Sequence, residues 1–205
     1  MTWHIFSGGN LNGSNFIRIE SGDRVICADR GLAHAQKLKI TPDLIIGDFD
    51  SYKEPLPENV EIMRSVPEKD DTDTMLAVRT AISRGAEKIR IYGALGGRFD
   101  HAFANIQTLK FASENGCQAE IADEGNLIML REKGIHNFHK MEGWYMSVFS
   151  YSEELNIKSF RGVKYPLENY IMKNSFPIGV SNEFESDSAE LSIESGTALI
   201  IFSRE

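Results

Sequence analysis

The sequence predicts an α/β N-terminal domain with a mostly parallel sheet, followed by a C-terminal all-β domain, sandwich or barrel-like. Three observations point there. Over residues 1–125 short apolar runs alternate with stretches of helical periodicity. From residue 126 to 205 strand-like runs succeed one another with no long helical pattern between them. Gly, Asn, Ser and Pro separate those later runs, as turns require.

Element by element, "WHIFSGG" (3–9) reads as a first strand ending in a glycine turn, and "RVICAD" (24–29) as a second. "DLIIG" (43–47), "KIRIYG" (88–93) and "QAEIA" (118–122) complete the apolar series, with "YKEPLPENVE" (52–61) a polar loop. Helical segments fall at 30–38, 72–84 and 99–114. Met75, Val78 and Ile82 recur at helical spacing with Gly85 as terminator; Phe99, Phe103 and Ile106 do the same ahead of Gly116. In the second domain "NLIMLR", "GWYMSVFS", "LNIKSF", "SAELSIES" and "TALIIFS" read as strands. Leu191 and Ile193 alternate with polar neighbours, as a half-buried strand demands.

Composition narrows the function classes. Of the 205 residues 41% are hydrophobic and 25% charged, enough for a core without disulfide or metal staples. The net charge of −8, with no basic cluster, argues against nucleic acid or an anionic membrane as partner. It leaves room for a phosphate ligand, because divalent cations bridge carboxylates and phosphates. Cys27 and Cys117 show neither metal nor disulfide spacing and read as free thiols in a reducing compartment. No signal-peptide pattern opens the chain, and no window approaches the ~20 apolar residues of a spanning helix. A cytoplasmic location is expected.

The acidic residues share one address. Asp29 closes the second strand, Asp48 and Asp50 close the third, and Asp70, Asp71 and Asp73 crowd before a helix. Asp100 opens another helix. In an open α/β sheet ligands bind outside the carboxyl ends of the strands. Carboxylates converging there repel one another unless a hard cation such as Mg²⁺ neutralises them. Each has a plainer reading: Asp70, Asp73 and Asp100 suit helix N-caps, and "DFDS" suits an Asx turn.

"IYGALGGRFDHAFANI" (91–106) adds a glycine-rich turn between strand and helix. Gly93, Gly96 and Gly97 allow close backbone approach, the helix N-terminus offers unpaired N–H groups, and Arg98 brings a two-pronged phosphate donor. No Lys-Ser/Thr pair follows, so the turn is not a Walker loop. His101 and Asn105 lie one helical turn apart on a common face, His101 as a substrate-positioning or structural residue.

Taken together, "CADRG" (27–31), "PDLIIGDFDS" (42–51), "KDDTD" (69–73) and "GALGGRFDH" (93–101) resemble the motifs of the thiamin pyrophosphokinase (thiamine diphosphokinase) family, in its order and spacing. "GVKYPLENY" (162–170) and "GVSNEF" (179–184) resemble its C-terminal motifs. The resemblance implies an ATP- and Mg²⁺-binding catalytic α/β domain over 1–125. It implies a thiamin-binding and dimerising β-sandwich over 126–205. It also implies a homodimer, with thiamin held between one subunit's α/β domain and the other's β domain. By the same resemblance Asp48, Asp50, Asp73 and Asp100 would contact Mg²⁺ and carry catalysis, while Asp29, Arg30, Lys69, Thr72 and Arg98 would line the ATP site. Tyr165, Ser181, Asn182 and His101 would help hold thiamin. Arg30 stands where some relatives have Gly, and Tyr165 where others have Trp.

The implied reaction moves the pyrophosphoryl group of ATP to the thiamine hydroxyl and releases AMP, with Asp73 and Asp100 as candidate bases. Two other readings compete. A haloacid-dehalogenase-type phosphatase also places D-x-D after an apolar strand, but after the first strand, and with Gly-Thr where Ser51 stands. A non-catalytic nucleotide- or thiamin-binding module has little use for so many metal-competent acids.

Overall fold

The computed structural model describes residues 1–48, 56–64 and 71–205. The chain divides into two compact units, Met1–Glu124 and Gly125–Glu205.

The first unit holds β1 (Trp3–Phe6), β2 (Arg24–Ala28), α1 (Gly31–Lys37), β3 (Leu44–Gly47) and β4 (Glu61–Arg64). It continues with α2 (Asp73–Ser83), β5 (Lys88–Tyr92), α3 (Phe99–Glu114) and β6 (Gln118–Ala122). Its strands lie in the order β4-β3-β2-β1-β5-β6, every neighbouring pair parallel. The chain thus builds outward from β1 on one side and then returns to its other side for β5. Such a reversal of strand order, here between β1 and β5, is where an α/β sheet opens a crevice. Parallel strands covered on both faces read as unbroken apolar runs. Accordingly Leu44, Ile45 and Ile46 of β3 are all fully buried, as are Ile89 and Ile91 of β5.

Two departures from the sequence reading are instructive. The polar stretch 52–61 was expected to be loop, yet Glu61 opens β4, a short edge strand paired with β3. Three of its four side chains are exposed, so no apolar run marks it. In α3 the helix is where the periodicity puts it, but Phe99 and Phe103 are 81% and 51% exposed. The buried face instead carries Asn105, Thr108, Leu109 and Ala112.

A polar ladder also lies inside this unit. His4, Arg90 and Glu120 stand abreast on β1, β5 and β6. Arg90 pairs with Glu120. His4 bonds Asp23 through Nε2 (3.0 Å) and the Tyr92 hydroxyl through Nδ1 (3.1 Å). Both cysteines are buried and free, and burial pushes the Cys27 and Cys117 thiols up to about 12 and about 11.

The second unit contains β7 (Asn126–Arg131), β8 (Gly134–His139), β9 (Tyr145–Ser150), β10 (Glu154–Arg161), β11 (Leu167–Lys173), β12 (Ser188–Ser195) and β13 (Ala198–Ser203). The antiparallel runs β7-β13-β9 and β11-β10-β12-β8 enclose one core. Val148 and Ile200 enter it from one layer, Leu155, Ile157 and Leu191 from the other. That is the expected sandwich. Of the aromatics, Phe138 and Phe160 are buried, whereas Tyr145, Tyr165 and Phe176 are exposed. Beside β9 the chain passes through Gly179, whose carbonyl accepts the Val148 N–H at 2.9 Å. A methyl group at Gly179 would sit 1.8 Å from the Val148 carbonyl oxygen. Among the described residues no helix is long and apolar enough to cross a membrane.

Candidate active site

The crevice begins with two turns that touch backbone to backbone. Past β1 the chain runs Ser7-Gly8-Gly9-Asn10; past β5 it runs Gly93 to Arg98. The Ser7 N–H donates to the Tyr92 carbonyl and the Gly9 N–H to the Gly93 carbonyl, both at 2.8 Å. A side chain at Gly9 would meet the Gly93 carbonyl oxygen at 2.5 Å, so only glycine allows this approach. His34 of α1 closes the first turn from below, Nε2 donating to the Gly9 carbonyl at 2.8 Å.

The "DRG" motif acquires a physical reason. Asp29 turns the chain out of β2 in the left-handed region (φ 48°), a conformation Asp tolerates better than most residues. Its N–H stays bonded to the Ile46 carbonyl at 2.8 Å. Gly31 then starts α1 so close to β1 that an added Cβ would lie 1.8 Å from the Phe6 carbonyl oxygen. Asp29 and Arg30 are thereby set on the rim of the crevice.

At α2 the N-cap is Thr72, whose Oγ1 accepts the Met75 N–H at 3.1 Å. Asp73 is therefore not the cap; it occupies the first turn, where a carboxylate complements the helix dipole. The next residue, Thr74, shares a 2.9 Å hydroxyl contact with Ser7, tying the helix start to the β1 turn. Asp71 bonds Arg79 at 3.1 Å.

These pieces enclose a cavity of about 730 Å³. From the sequence-derived set, Asp29, Arg30, Asp48, Thr72, Asp73, Arg98 and His101 line it. Asp100 is not on its wall. Its carboxylate takes two bonds from Arg98 and one from the His101 N–H (2.9 Å). Those bonds hold the Asp100 carboxyl below its usual range and raise the Arg98 guanidinium. Asp50 and Lys69 lie outside the described residues. Ser7, Asn10, Thr74 and Asn105 also line the cavity; the glycine turn closing the first strand was the signal for Ser7 and Asn10, and the helix face shared with His101 was the signal for Asn105, while Thr74 had none.

Among the described residues no three His, Cys, Asp or Glu side chains group closely enough to hold a metal by themselves. Mg²⁺ asks for less. It takes one or two carboxylates and fills its remaining positions with water and phosphate oxygens. Asp48 and Asp73, both on the wall of this cavity, are carboxylates of the kind such a site draws on.

The remaining candidates belong to the second unit. Asn182 is buried, and its amide is spent on main chain. Oδ1 accepts the Tyr165 and Glu183 N–H groups (both 3.0 Å), and Nδ2 donates to the Tyr165 carbonyl (2.9 Å). Ser181 sits in the left-handed region (φ 55°), its N–H bonded to Ser147 Oγ at 2.9 Å. The Tyr165 ring is 60% exposed, with the Lys164 ammonium 5.8 Å from its centroid. Asn182 thus fixes Tyr165 from beneath while the ring faces solvent.

Comparison with known proteins agrees in sequence and in fold. Residues 18–121 match the family described as "Thiamin pyrophosphokinase, catalytic domain" and residues 133–199 match "Thiamin pyrophosphokinase, vitamin B1 binding domain". A thiamine pyrophosphokinase from Bacillus subtilis is 30% identical over 184 residues, spanning 86% of this chain and 85% of that protein. A solved structure of thiamine pyrophosphokinase from Bacillus subtilis aligns over 100% of both chains with a TM-score of 0.89 and 27% identity. A solved thiamin pyrophosphokinase family protein from Enterococcus faecalis gives a TM-score of 0.85 at 30% identity, covering 100% of this chain and 99% of that one.

Proposed function

This chain belongs to the thiamin pyrophosphokinase family, and from that premise we propose how its residues carry the reaction. The enzyme is a thiamine diphosphokinase: it transfers the pyrophosphoryl group of ATP to the hydroxyl of thiamine, giving thiamine diphosphate and AMP. The hydroxyl oxygen bonds to the β-phosphorus, the bond from that phosphorus to the α–β bridging oxygen breaks, and AMP departs with the bridging oxygen. The hydroxyl proton is lost on the way.

Such a transfer asks the protein for position and charge more than for covalent chemistry. The observation that carries our reading is the crevice itself. Asp29, Asp48 and Asp73 stand on its wall together with the glycine turn and Arg98. The polyphosphate lies along the glycine turn, with Arg98 and Lys69 as its fixed cations and Asp29, Arg30 and Thr72 around the nucleotide. Asp48 and Asp73, with Asp50 two residues beyond Asp48 in the chain, would hold Mg²⁺, and Asp100 would join that set once its pair with Arg98 opened. Bound Mg²⁺ neutralises the polyphosphate charge. Asp73 is the better placed base, because it stands on the cavity wall and Asp100 does not.

Thiamine is held by the second unit, on the exposed ring of Tyr165 with Ser181 beside it, and Asn182 contributes through its grip on the Tyr165 main chain. His101 positions the acceptor from the cavity side. The active species is a cytoplasmic homodimer whose sites draw on both chains, and the functional boundary falls at 125/126. The phosphatase alternative fits poorly, since the acidic pair follows β3 rather than the first strand.

The test is AMP formation from ATP that requires both thiamine and Mg²⁺. Release of phosphate without an acceptor would indicate the phosphatase, and binding without turnover the non-catalytic module.

A further inference from the structure

We propose that Asn105 is a positioning residue for the nucleotide half of the reaction, its side-chain amide setting the shape of the glycine turn through the Ala94 carbonyl. This rests on the function proposed above. Asn105 is 7% exposed, and its Nδ2 donates to the Ala94 carbonyl at 2.8 Å. Asn is a weak helix former, and a buried amide is costly unless bonded. Here it sits on the inward face of α3 at the cavity wall.

The turn it holds has much freedom to lose. Gly93, Gly96 and Gly97 all adopt positive φ (62°, 80° and 73°), so three of the five residues from 93 to 97 lack the restraint of a side chain. Two successive carbonyls anchor it: Gly93 to the Gly9 N–H, and Ala94 to Asn105. The first bond joins the turn to β1; the second joins it to α3, one helical turn beyond His101. Arg98 ends the turn at the N-cap position of α3 without a side-chain cap bond. The path from Ala94 to Arg98 therefore decides where the guanidinium and the first N–H groups of α3 point. Misplacement of such groups by about 1 Å costs on the order of 100-fold in rate.

Two substitutions separate donor, shape and charge. Asn105→Leu keeps the volume and removes the donor. Asn105→Asp keeps the shape, and its carboxyl donates only when protonated. Near pH 8 both variants should lose about 10- to 100-fold in kcat/KM for ATP, with KM for thiamine within about twofold of the parent. As the pH is lowered toward 5, the aspartate variant should recover relative to the parent enzyme while the leucine variant does not. ATP affinity measured by calorimetry with Mg²⁺ and no thiamine should follow the same pattern, so the turn is read even if the parent makes no AMP with thiamine, which would count against the proposed function alone. Parent-like ATP use by Asn105→Leu overturns the proposal. So does an aspartate variant that stays impaired across the whole pH range, a result that decides the matter even if the leucine variant does not fold.

Discussion

Arg98 and Asp100 grip each other through two bonds, Nε to Oδ1 at 3.2 Å and Nη2 to Oδ2 at 2.5 Å, two positions apart at the start of α3. Both side chains are largely exposed, 75% and 62%. An exposed pair holds weakly, so on the proposed assignment a polyphosphate would compete with Asp100 for the guanidinium at little cost.

Arg98→Lys is expected to lower kcat/KM for ATP by about tenfold or more, because a point charge cannot grip two oxygens as the planar fork does. KM for thiamine should hardly move. Steady-state kinetics with each substrate varied in turn would show this, and unchanged ATP kinetics would leave Arg98 a purely structural residue.

Asp48→Asn and Asp50→Asn should each cut turnover by about 100-fold or more, with little change in melting temperature, if the charge serves a ligand as proposed. Activity titrated against Mg²⁺ is the informative measurement. A variant that kept near-normal turnover at limiting Mg²⁺ would contradict the assignment.

Acid stability should report on the His4–Asp23 contact. Burial alone would raise the Asp23 carboxyl, but the bonds from the Thr2 N–H, His4 and the Glu20 N–H outweigh it and bring it down to about 2. Its stabilising effect is therefore complete above the unfolded value of 3.8 and is lost as pH falls toward 2. Burial lowers His4 from 6.5 despite Asp23, so its share is lost from a higher pH, as the unfolded chain takes up a proton that the folded chain refuses. Asp23→Asn should cost roughly 2 kcal/mol near neutrality, a gap that closes toward pH 2. Urea unfolding across that range would show a constant gap if the reasoning were wrong.

Mixing tests the shared site. Combining an Asp50→Asn chain with a Ser181/Asn182 double-alanine chain should restore roughly a quarter to a half of the activity, because a mixed two-fold dimer keeps one intact site. Absence of recovery, with subunit exchange confirmed by mass spectrometry, would mean that each site is built from a single chain.

Much of this arrangement was legible in the residues, for physical reasons. Buried parallel strands must be apolar throughout, so "DLIIG" announced β3 and placed Asp48 at its end. Asp29 followed from the end of its strand and Arg98 from the glycine turn before α3, whereas Thr72 came only with the family resemblance, its cap role showing first in the fold. What escaped notice was exposed or polar. β4 and β11 present mostly exposed side chains, and in β8 only Phe138 is buried, so no clean alternation marked them. Phe99 and Phe103 supplied a convincing apolar period for α3 while facing outward. The Ser7–Thr74 contact joins residues 67 positions apart, a distance at which local pattern is silent. Asn182 was read as a ligand contact, but three bonds commit its amide to main chain, a fact that only the fold around Tyr165 could reveal.

Gly31 and Gly179 are hydrogen where any other residue has carbon, and each presses its α-carbon onto a strand carbonyl, Phe6 in one unit and Val148 in the other. Two residues before the first stands Asp29; two and three residues after the second stand Ser181 and Asn182. Each glycine works as a spacer gauge whose thickness is an atomic radius, setting how far its neighbours stand off the sheet. A single methyl group at either place would shift these neighbours outward as a block, without altering any of them. Lesions of the catalyst can therefore arise at positions that touch no substrate and bear no chemistry, and a search confined to polar residues would overlook them.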